Sequence, residues 1–535
     1  MPKEIQTLQE VLWRHSETIP QKIFIHYRDW HYTFRDWREW VERLAGGFKS
    51  LGVQPGDPVL LAMGNSPEVY ASITALSSLG ALPVAVNPGL KVSELQFMVE
   101  DLGCNVAVVD SVSLAALREV VNTSSSLGHL LVLGKDSASE NAQTPLAVAE
   151  TSMRTSMSCQ VEDFNRLTVQ SQPFELVTDV NRPALVLYSA TSSGKPMATL
   201  VSHAVLAQSW VGMQKVLQLS GEEVCINVLP NYHVFSIVAE YGLMLWLGGT
   251  VVLHDGFQPN TALQHLAQYR GSWMCGVPSM FSVFADMAER TGVDLRAFRY
   301  GVIGGAPVDP PLLERWQSLT GGTLLQVYGS TEVGVATLER PDRPRPQSSA
   351  GLCLPDCQIQ IVDEDGAEVE PGSVGEILIQ LRHGRAHYWR RPQEEQTAFR
   401  DGWFHMGDLG WLDAEGNLYV VGRKKQVILY AGENIYPSEV EPILQEYPGV
   451  AEAVLLGLPS ATKGEEPVVC IRVEPQSTVN TQDFLRYARA RLADYKVPRR
   501  VIEVQDFPRA AGGSVRRYDL LQQILRQQKS ESVLN

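Results

Sequence analysis

Between residues 58 and 133 the chain repeats one pattern: a short, unbroken apolar run, a helix-length segment, then another apolar run. The runs are Val59–Met63, Ala81–Val86, Val106–Val109 and Leu130–Leu133, and Ser66–Leu79 and Val92–Leu102 lie between the first three. A run of four to six apolar residues without polar alternation suits a strand buried on both faces. Strands joined through helices are parallel, because a parallel pair needs a long crossover. The pattern predicts a mainly parallel sheet covered by helices on both sides. Ser66-Pro67-Glu68 opens the first of those helices with proline where its missing N–H costs nothing.

Upstream, Ile23–His26 and Trp30–Phe34 flank a turn and read as a strand pair. From Trp37 to Leu51, the positions Trp40, Val41, Leu44, Ala45 and Phe48 form a helical stripe. Residues 135–173 are rich in Ser, Thr, Gln and Asn and read as a long surface connection with short helical pieces. Alternation then resumes, with strands at Cys225–Leu229, Thr250–Leu253, Trp273–Val277 and Leu324–Tyr328 and helices at Val234–Leu247 and Leu312–Leu319. Past residue 350 the texture turns to β. Gln358–Val362, Gly375–Ile379 and Gly416–Val420 alternate and end in Gly/Asp turns, which predicts a small β subdomain. After the polar Gly422–Lys425, about 110 residues remain, enough for a second compact domain.

The chain has 535 residues, too many for one core, and its net charge is −15 with no Lys/Arg-rich run, which excludes a nucleic-acid footprint. No run of about 18 uncharged apolar residues predicts a membrane span. The N-terminus lacks the apolar core of a signal peptide. Seven scattered cysteines suit reduced thiols in a cytoplasmic protein. Cys353 and Cys357 form a CxxxC pair, but no second pair or His cluster accompanies it, so the spacing is not that of a zinc site.

Five stretches carry residue types suited to nucleotide chemistry, each with a plainer reading beside it. After an apolar run ending at Tyr188, the hydroxyl-rich loop Ser189–Gly194 can close N–H and O–H groups around phosphate oxygens, or be an ordinary surface turn. It is not a Walker A loop, because Gly194-Lys195 is followed by Pro196. Tyr328-Gly329-Ser330-Thr331-Glu332 offers a ring that can stack on a purine and oxygens suited to phosphate and Mg²⁺, or a Tyr-Gly turn with a solvated Glu. Asp408, between Gly407 and Gly410, can accept hydrogen bonds from vicinal ribose hydroxyls, or be a turn aspartate. Gly422-Arg423-Lys424-Lys425, running on to Gly432-Glu433-Asn434, supplies a cation and a glycine permitting close backbone approach, or is a charged linker. The fifth, Phe507 to Arg517, is a Gly-rich loop near the C-terminus.

In this order and at these separations the five stretches resemble the adenylate-forming superfamily, which includes acyl- and aryl-CoA ligases, adenylation domains of peptide synthetases and beetle luciferase. The resemblance implies an α/β fold. A large N-terminal AMP-binding domain (1–423), with mainly parallel sheets and a small β subdomain, precedes a small mobile α+β lid (424–535). It implies that ATP and Mg²⁺ activate a carboxylic acid as acyl-adenylate, which then passes to a thiol of coenzyme A or of a carrier-protein phosphopantetheine. By motif position, Thr191, Ser192, Ser193, Gly194 and Lys195 would cradle phosphates. Gly305, Ala306 and Tyr328 would hold adenine. Thr331 and Glu332 would serve phosphate and Mg²⁺, and Asp408 and Arg423 the ribose. Lys425 falls on the hinge, Gly432 beside the thiol channel, and His233 beside the acyl carboxylate. The expected partners are a small carboxylic acid and an acyl carrier protein, with the chain a monomer or homodimer.

Two departures stand out. The superfamily's C-terminal loop ordinarily ends in a lysine that bridges acyl carboxylate and α-phosphate; here the position is Ser514. The first loop ordinarily continues Pro-Lys-Gly, where this chain has Pro196-Met197-Ala198. Losing one such charge contact costs roughly 3–4 kcal/mol, or about 10²–10³-fold in rate. Three readings follow: a complete ligase with charge from Lys195 or Arg516, an enzyme of the thioester half-reaction, or a non-catalytic binding protein on a ligase scaffold. No aspartate stands in the Phe235–Ser236 region to pair a substrate ammonium, which favours a fatty, aryl or other non-amino acid.

Overall fold

The computed structural model describes residues 5–123, 126–134, 159–169, 171–190, 196–305, 308, 310–343, 345–363, 365–423, 428–435, 437–460, 462–508, 515 and 517–533. The chain divides into two compact units, the larger built from residues 1–189 and 197–424 and the smaller from 190–196 and 425–535.

The larger unit contains three sheets. In the first, eight strands run in the order His387–Tyr388, Pro196–Ser202, Pro183–Ala190, Leu82–Ala85, Pro58–Ala62, Val106–Val109, His129–Val132 and Gln160–Asp163. From Pro183–Ala190 to the far edge its strands are parallel, and the central ones are buried along their length. The second has nine strands, in the order Leu352–Cys353, Gly334–Leu338, Thr323–Ser330, Tyr300–Ile303, Trp273–Gly276, Val224–Asn227, Thr250–Leu253, Ile23–Tyr27 and Trp30–Thr33. It is parallel in its middle and antiparallel at both ends. The third, all antiparallel, is the β subdomain: Cys357–Val362, Gly375–Leu381, Trp403–Leu412 and Phe399–Arg400, with Leu418–Arg423 also on Trp403–Leu412. The mixed α/β architecture, with mainly parallel sheets and a β subdomain, agrees with the alternation and with the change of texture near residue 350.

Local departures have local causes. The helix Phe34–Ser50 starts one residue inside the expected strand because Thr33 caps it: Thr33 Oγ1 accepts from the Asp36 N–H at 3.2 Å, and Asp36 Oδ2 accepts from the Thr33 N–H at 2.9 Å. Its buried stripe includes Trp37, while Trp40 is only partly covered. The connection expected to lie on the surface contains an edge strand, Gln160–Asp163, and a 3₁₀ turn, Phe164–Thr168. Phe164 and Leu167 are buried in the main core, and the backbone around Leu167 and Gln172 lies where a Cβ on Gly47 or Gly46 would stand.

In the smaller unit the strand Val450–Ser460 pairs along its length with Gly464–Val473, flanked by Ile428–Tyr430, Glu433–Ile435 and the parallel Arg500–Glu503. Strand alternation sends Ala453 and Leu455 to one core with Val440, Leu444 and Phe484. It sends Val454, Leu456 and Leu458 to another with Phe507, Leu520 and Ile524. Helices Pro437–Gln445 and Thr481–Arg491 cover the first face, and Arg517–Val533 the second. Arg517 grips Glu441 with two 2.6 Å hydrogen bonds. Among the described residues no helix is long and apolar enough to cross a membrane.

Candidate active site

The strand Thr323–Ser330 delivers the first candidate side chains. It pairs antiparallel with Gly334–Leu338 through a bulge between Tyr328 and Gly329. Gly329 admits no side chain, because a Cβ would meet the Gly334 carbonyl. The turn between these strands presents Glu332, which is 7% exposed. Ser330 Oγ donates to Glu332 Oε2 at 2.8 Å, and the Tyr388 hydroxyl donates to Oε1 at 3.3 Å. Burial and the Glu332 charge push the Tyr388 phenol up, so it stays protonated and remains a donor.

Tyr388 reaches this point because His387–Tyr388 pairs with Pro196–Ser202, placing Tyr388 opposite Thr199. Sequence reading missed it. No local signal distinguishes a two-residue strand whose partner, Thr199 for Tyr388, lies so far upstream.

One position before Gly329, the Tyr328 hydroxyl donates to Asp408 Oδ2 at 2.6 Å. Asp408 is not in a turn: it lies inside the strand Trp403–Leu412, opposite Arg423 in register, and is 6% exposed. The contact joins the nine-stranded sheet to the β subdomain. Two neighbouring motifs thus bring a phenol ring and two buried carboxylates to one boundary.

His233 stands apart from that pair. It caps the short helix Val234–Ser236, its Nδ1 accepting from the Phe235 N–H at 3.3 Å. Burial lowers its pKa, so the ring is neutral. Its link to the first motif runs through Phe235: a Cβ built on Gly304 would lie 3.6 Å from the Phe235 ring and 3.1 Å from Val327.

The expected helix Val234–Leu247 is interrupted by a π turn at Ile237–Tyr241. A π turn misaligns helix carbonyls, and here indoles take them up. Trp210 Nε1 donates to Val238 O at 2.9 Å and Trp273 Nε1 to Ala239 O at 2.7 Å. On this turn Glu240 is fully buried, and burial raises its carboxyl well above the usual range, which keeps it neutral.

Gly305, just past the strand Tyr300–Ile303, has φ +79°, a backbone angle that favours glycine. Gly432 belongs to the smaller unit. With Ala431 it forms a two-residue hairpin turn having φ +51° and +88°, the pattern of a type I′ turn. Thr331 lies in the Glu332 turn, half-buried. Arg423 is described through its backbone, in register with Asp408. Thr191, Ser192, Ser193, Gly194, Lys195, Ala306, Lys425 and Ser514 lie outside the described residues.

Among the described residues no group of three or more His, Cys, Asp and Glu side chains could hold a metal ion. A lone carboxylate such as Glu332 fits Mg²⁺ carried in on nucleotide phosphates, since that ion keeps several waters and needs only one or two protein oxygens.

The sequence model for AMP-binding enzymes matches residues 12–389, and the model for their C-terminal domain matches residues 439–513. The chain belongs to the AMP-binding enzyme family, within the adenylate-forming superfamily. It is 30% identical over 521 residues to an indoleacetate–CoA ligase of Aromatoleum aromaticum, covering 97% of this chain and 98% of that one. It is 29% identical over 504 residues to a feruloyl-CoA synthase of Amycolatopsis, covering 94% and 96%. Among solved structures, an o-succinylbenzoate CoA synthetase from Bacillus subtilis, bound to a product analogue, matches with a TM-score of 0.80 and 27% identity. That match covers 95% of this chain and 98% of that one. Residues 1–423 and 424–535, expected to be domains, stand beside these AMP-binding matches, which end at 389 and resume at 439.

Proposed function

We propose that the protein is an acid–thiol ligase. ATP activates a carboxylic acid lacking an α-ammonium group, and the acyl group then passes to the thiol of coenzyme A or of a carrier-protein arm. The observation that carries the reading is the convergence of Tyr328, Asp408 and Glu332 on one sheet boundary in a chain of this family. In the first half-reaction the acid's carboxylate oxygen bonds to the α-phosphorus, and the bond to the β-phosphate oxygen breaks, releasing pyrophosphate. In the second, the thiol sulfur bonds to the acyl carbon, AMP leaves, and the thiol proton passes to water. Tyr328 would stack on adenine, and Asp408 would accept from the ribose hydroxyls while also accepting from Tyr328. Glu332, held at both oxygens, would contact Mg²⁺, which supplies charge on the triphosphate when bound. His233 is neutral and would flank the acyl carboxylate without a charge of its own. The loop 191–195 would hold phosphates, Lys425 would act at the hinge, and Gly432 would leave room for the incoming thiol.

The acid class follows from charge. Phe235 and Val327 pack around Gly304, and no aspartate stands in the Phe235–Ser236 region to pair an ammonium. An aryl acid is what the named relatives' substrates suggest; fatty acids belong in the same panel.

A second reading is favoured by one specific observation: Met197, at one usual lysine position, is 4% exposed within the strand Pro196–Ser202, and Ser514 replaces the other lysine. That reading keeps only thioester formation from a preformed adenylate, or nucleotide and acyl binding alone. Pyrophosphate exchange over a panel of non-amino acids, with Ser514→Lys in parallel, separates the two. The ligase reading expects exchange above background in the native chain, and a gain in the variant of at most about 10²-fold that measures how much charge the native site lacks. No exchange in either protein, with intact ATP binding, overturns it.

A further inference from the structure

The CxxxC pair has no part in the chemistry above, and the fold sets its two residues at the two ends of one tight turn. Cys353 ends the edge strand Leu352–Cys353 of the nine-stranded sheet, and Cys357 begins the edge strand of the β-subdomain sheet. Between them Leu354-Pro355-Asp356 makes a tight reversal: the Cys357 N–H donates to Leu354 O at 3.2 Å, proline stands second, and Asp356 has φ +65°. That is the pattern of a type II turn, which closes the chain back on itself.

The turn is anchored on both sides. The Leu354 N–H donates to Ala336 O at 2.9 Å in one sheet. In the other, the Arg382 N–H donates to Asp356 O at 2.9 Å, and the Arg382 guanidinium pairs with the Asp356 carboxylate at 2.7 Å. The turn places the two cysteines at its two ends, and both residues are half-buried, unlike most of the other cysteines. Of the other cysteines, Cys104, Cys225, Cys275 and Cys470 are buried, and Cys159 has no cysteine neighbour in sequence.

We propose that Cys353 and Cys357 form a dithiol modification site, which low-molecular-weight disulfides such as glutathione disulfide convert to an intrachain cystine. Cys353 is the attacking sulfur. The neighbouring Cys353, together with burial, pushes the Cys357 thiol up, which suits it to the second step rather than the first. The Cys353 thiolate bonds to one sulfur of the oxidant, whose S–S bond breaks, and half of the oxidant leaves as a thiol. Cys357 gives its proton to water and attacks the Cys353 sulfur, and the second half leaves as a thiol. Two protein S–H bonds are replaced by one S–S bond, and the oxidant takes up two electrons. The cystine ties the nine-stranded sheet to the β subdomain, the same two sheets that Tyr328 and Asp408 join. Soft anchoring of the turn by hydrogen bonds becomes a covalent link without moving the chain far, because the turn already holds the reversal.

The test uses the full chain in glutathione buffers of rising oxidised fraction at pH 8. Free thiols are counted after denaturation, and the cross-linked peptide is mapped by mass spectrometry. The expected result is a fall from seven thiols to five, a mass loss of about 2 Da, and a cross-link between the peptides holding Cys353 and Cys357. Cys353→Ser and Cys357→Ser should each abolish that loss. Seven thiols surviving throughout, a glutathione adduct that never resolves, or a cross-link mapped elsewhere overturns the proposal. Mapping the native chain decides the matter even where a variant folds poorly. The readout needs neither ATP nor acid, so it is independent of the ligase reading.

Discussion

Asp408→Ala is the perturbation that probes the nucleotide site most directly. The carboxylate is 6% exposed and takes a 2.6 Å hydrogen bond from Tyr328. If it also receives two ribose hydroxyls, alanine removes two bonds to a charged acceptor. Each is worth about 1.5–3 kcal/mol. Taking the lower figure, the variant loses roughly 3 kcal/mol of nucleotide binding, a weakening of about 10²-fold. Isothermal titration with ATP and with AMP measures this. Tripolyphosphate, which has no ribose, serves as control and should bind the variant as it binds the native protein. Tyr328→Phe keeps the ring and removes only the donor, so nucleotide affinity should fall by less than about tenfold. The double variant should weaken binding by less than the sum of the singles, because the two side chains share one contact. An Asp408→Ala protein that binds ATP normally refutes the ribose assignment. Equal loss of tripolyphosphate and ATP refutes it too, because the damage would then be general.

Two further outcomes are expected. Glu332→Gln keeps partners for Ser330 and Tyr388 but removes the charge, so the Mg²⁺ concentration needed for half-maximal pyrophosphate exchange should rise at least tenfold, or roughly 1.4 kcal/mol; an unchanged Mg²⁺ dependence counts against the role. Stability should fall as pH drops from about 6.5 toward 4. His203 is 1% exposed, begins the helix His203–Leu217, and accepts the Leu8 N–H on Nδ1 at 3.3 Å; burial pushes it down to about 3. His254, 4% exposed, is pushed down to about 4 by burial and by neighbouring His265. The unfolded chain protonates both near 6.5, so in that window it binds more protons than the folded one. Each group then costs up to about 1.4 kcal/mol per pH unit. Urea titrations at pH 7, 5.5 and 4.5 read the trend, and His203→Gln should flatten it; stability independent of pH over this range would refute the argument.

What was legible in the sequence was whatever a short window encodes. Val59–Met63 and Val106–Val109 read as buried parallel strands because their apolar runs are unbroken, and they are. Tyr328, Glu332 and Asp408 were singled out from glycine-flanked motifs, and the fold brings Tyr328 and Asp408 into a hydrogen bond; their roles are for the nucleotide titrations to decide. What escaped depends on distant partners. Nothing around Tyr388 announces that its strand will pair with Pro196–Ser202 and carry the phenol to Glu332. The π turn at Ile237–Tyr241 has the same apolar composition as an ordinary helix. It persists where Trp210 and Trp273, from other elements, receive the displaced carbonyls. Phe164 and Leu167 were hidden in a polar segment whose average composition outweighed two apolar residues three positions apart.

The missing lysines are best understood through the surroundings of Met197. The strand Pro196–Ser202 carries Met197 and Ala198 inward, and Ala198 O accepts the Trp389 N–H at 2.9 Å. Met197 is 4% exposed, so an ammonium there would lose its water, which costs several kcal/mol unless it is paired. This position is therefore committed to packing, and the strand offers no shifted replacement for the lost charge. The described part of the site contributes acceptors instead: the Asp408 and Glu332 carboxylates each accept a hydrogen bond from a phenol. Such a site can recognise a ribose and a metal-bound triphosphate, yet offers no cation to a transition state that gathers negative charge on the α-phosphate. That charge has to come from Lys195, Arg516 or the metal, all beyond the described residues. Substituting lysine at 514 restores the residue type the superfamily ordinarily carries at that position. The size of its effect on pyrophosphate exchange therefore measures how far the native chain compensates: a gain near 10²-fold means little compensation, and no gain means the cation is already supplied.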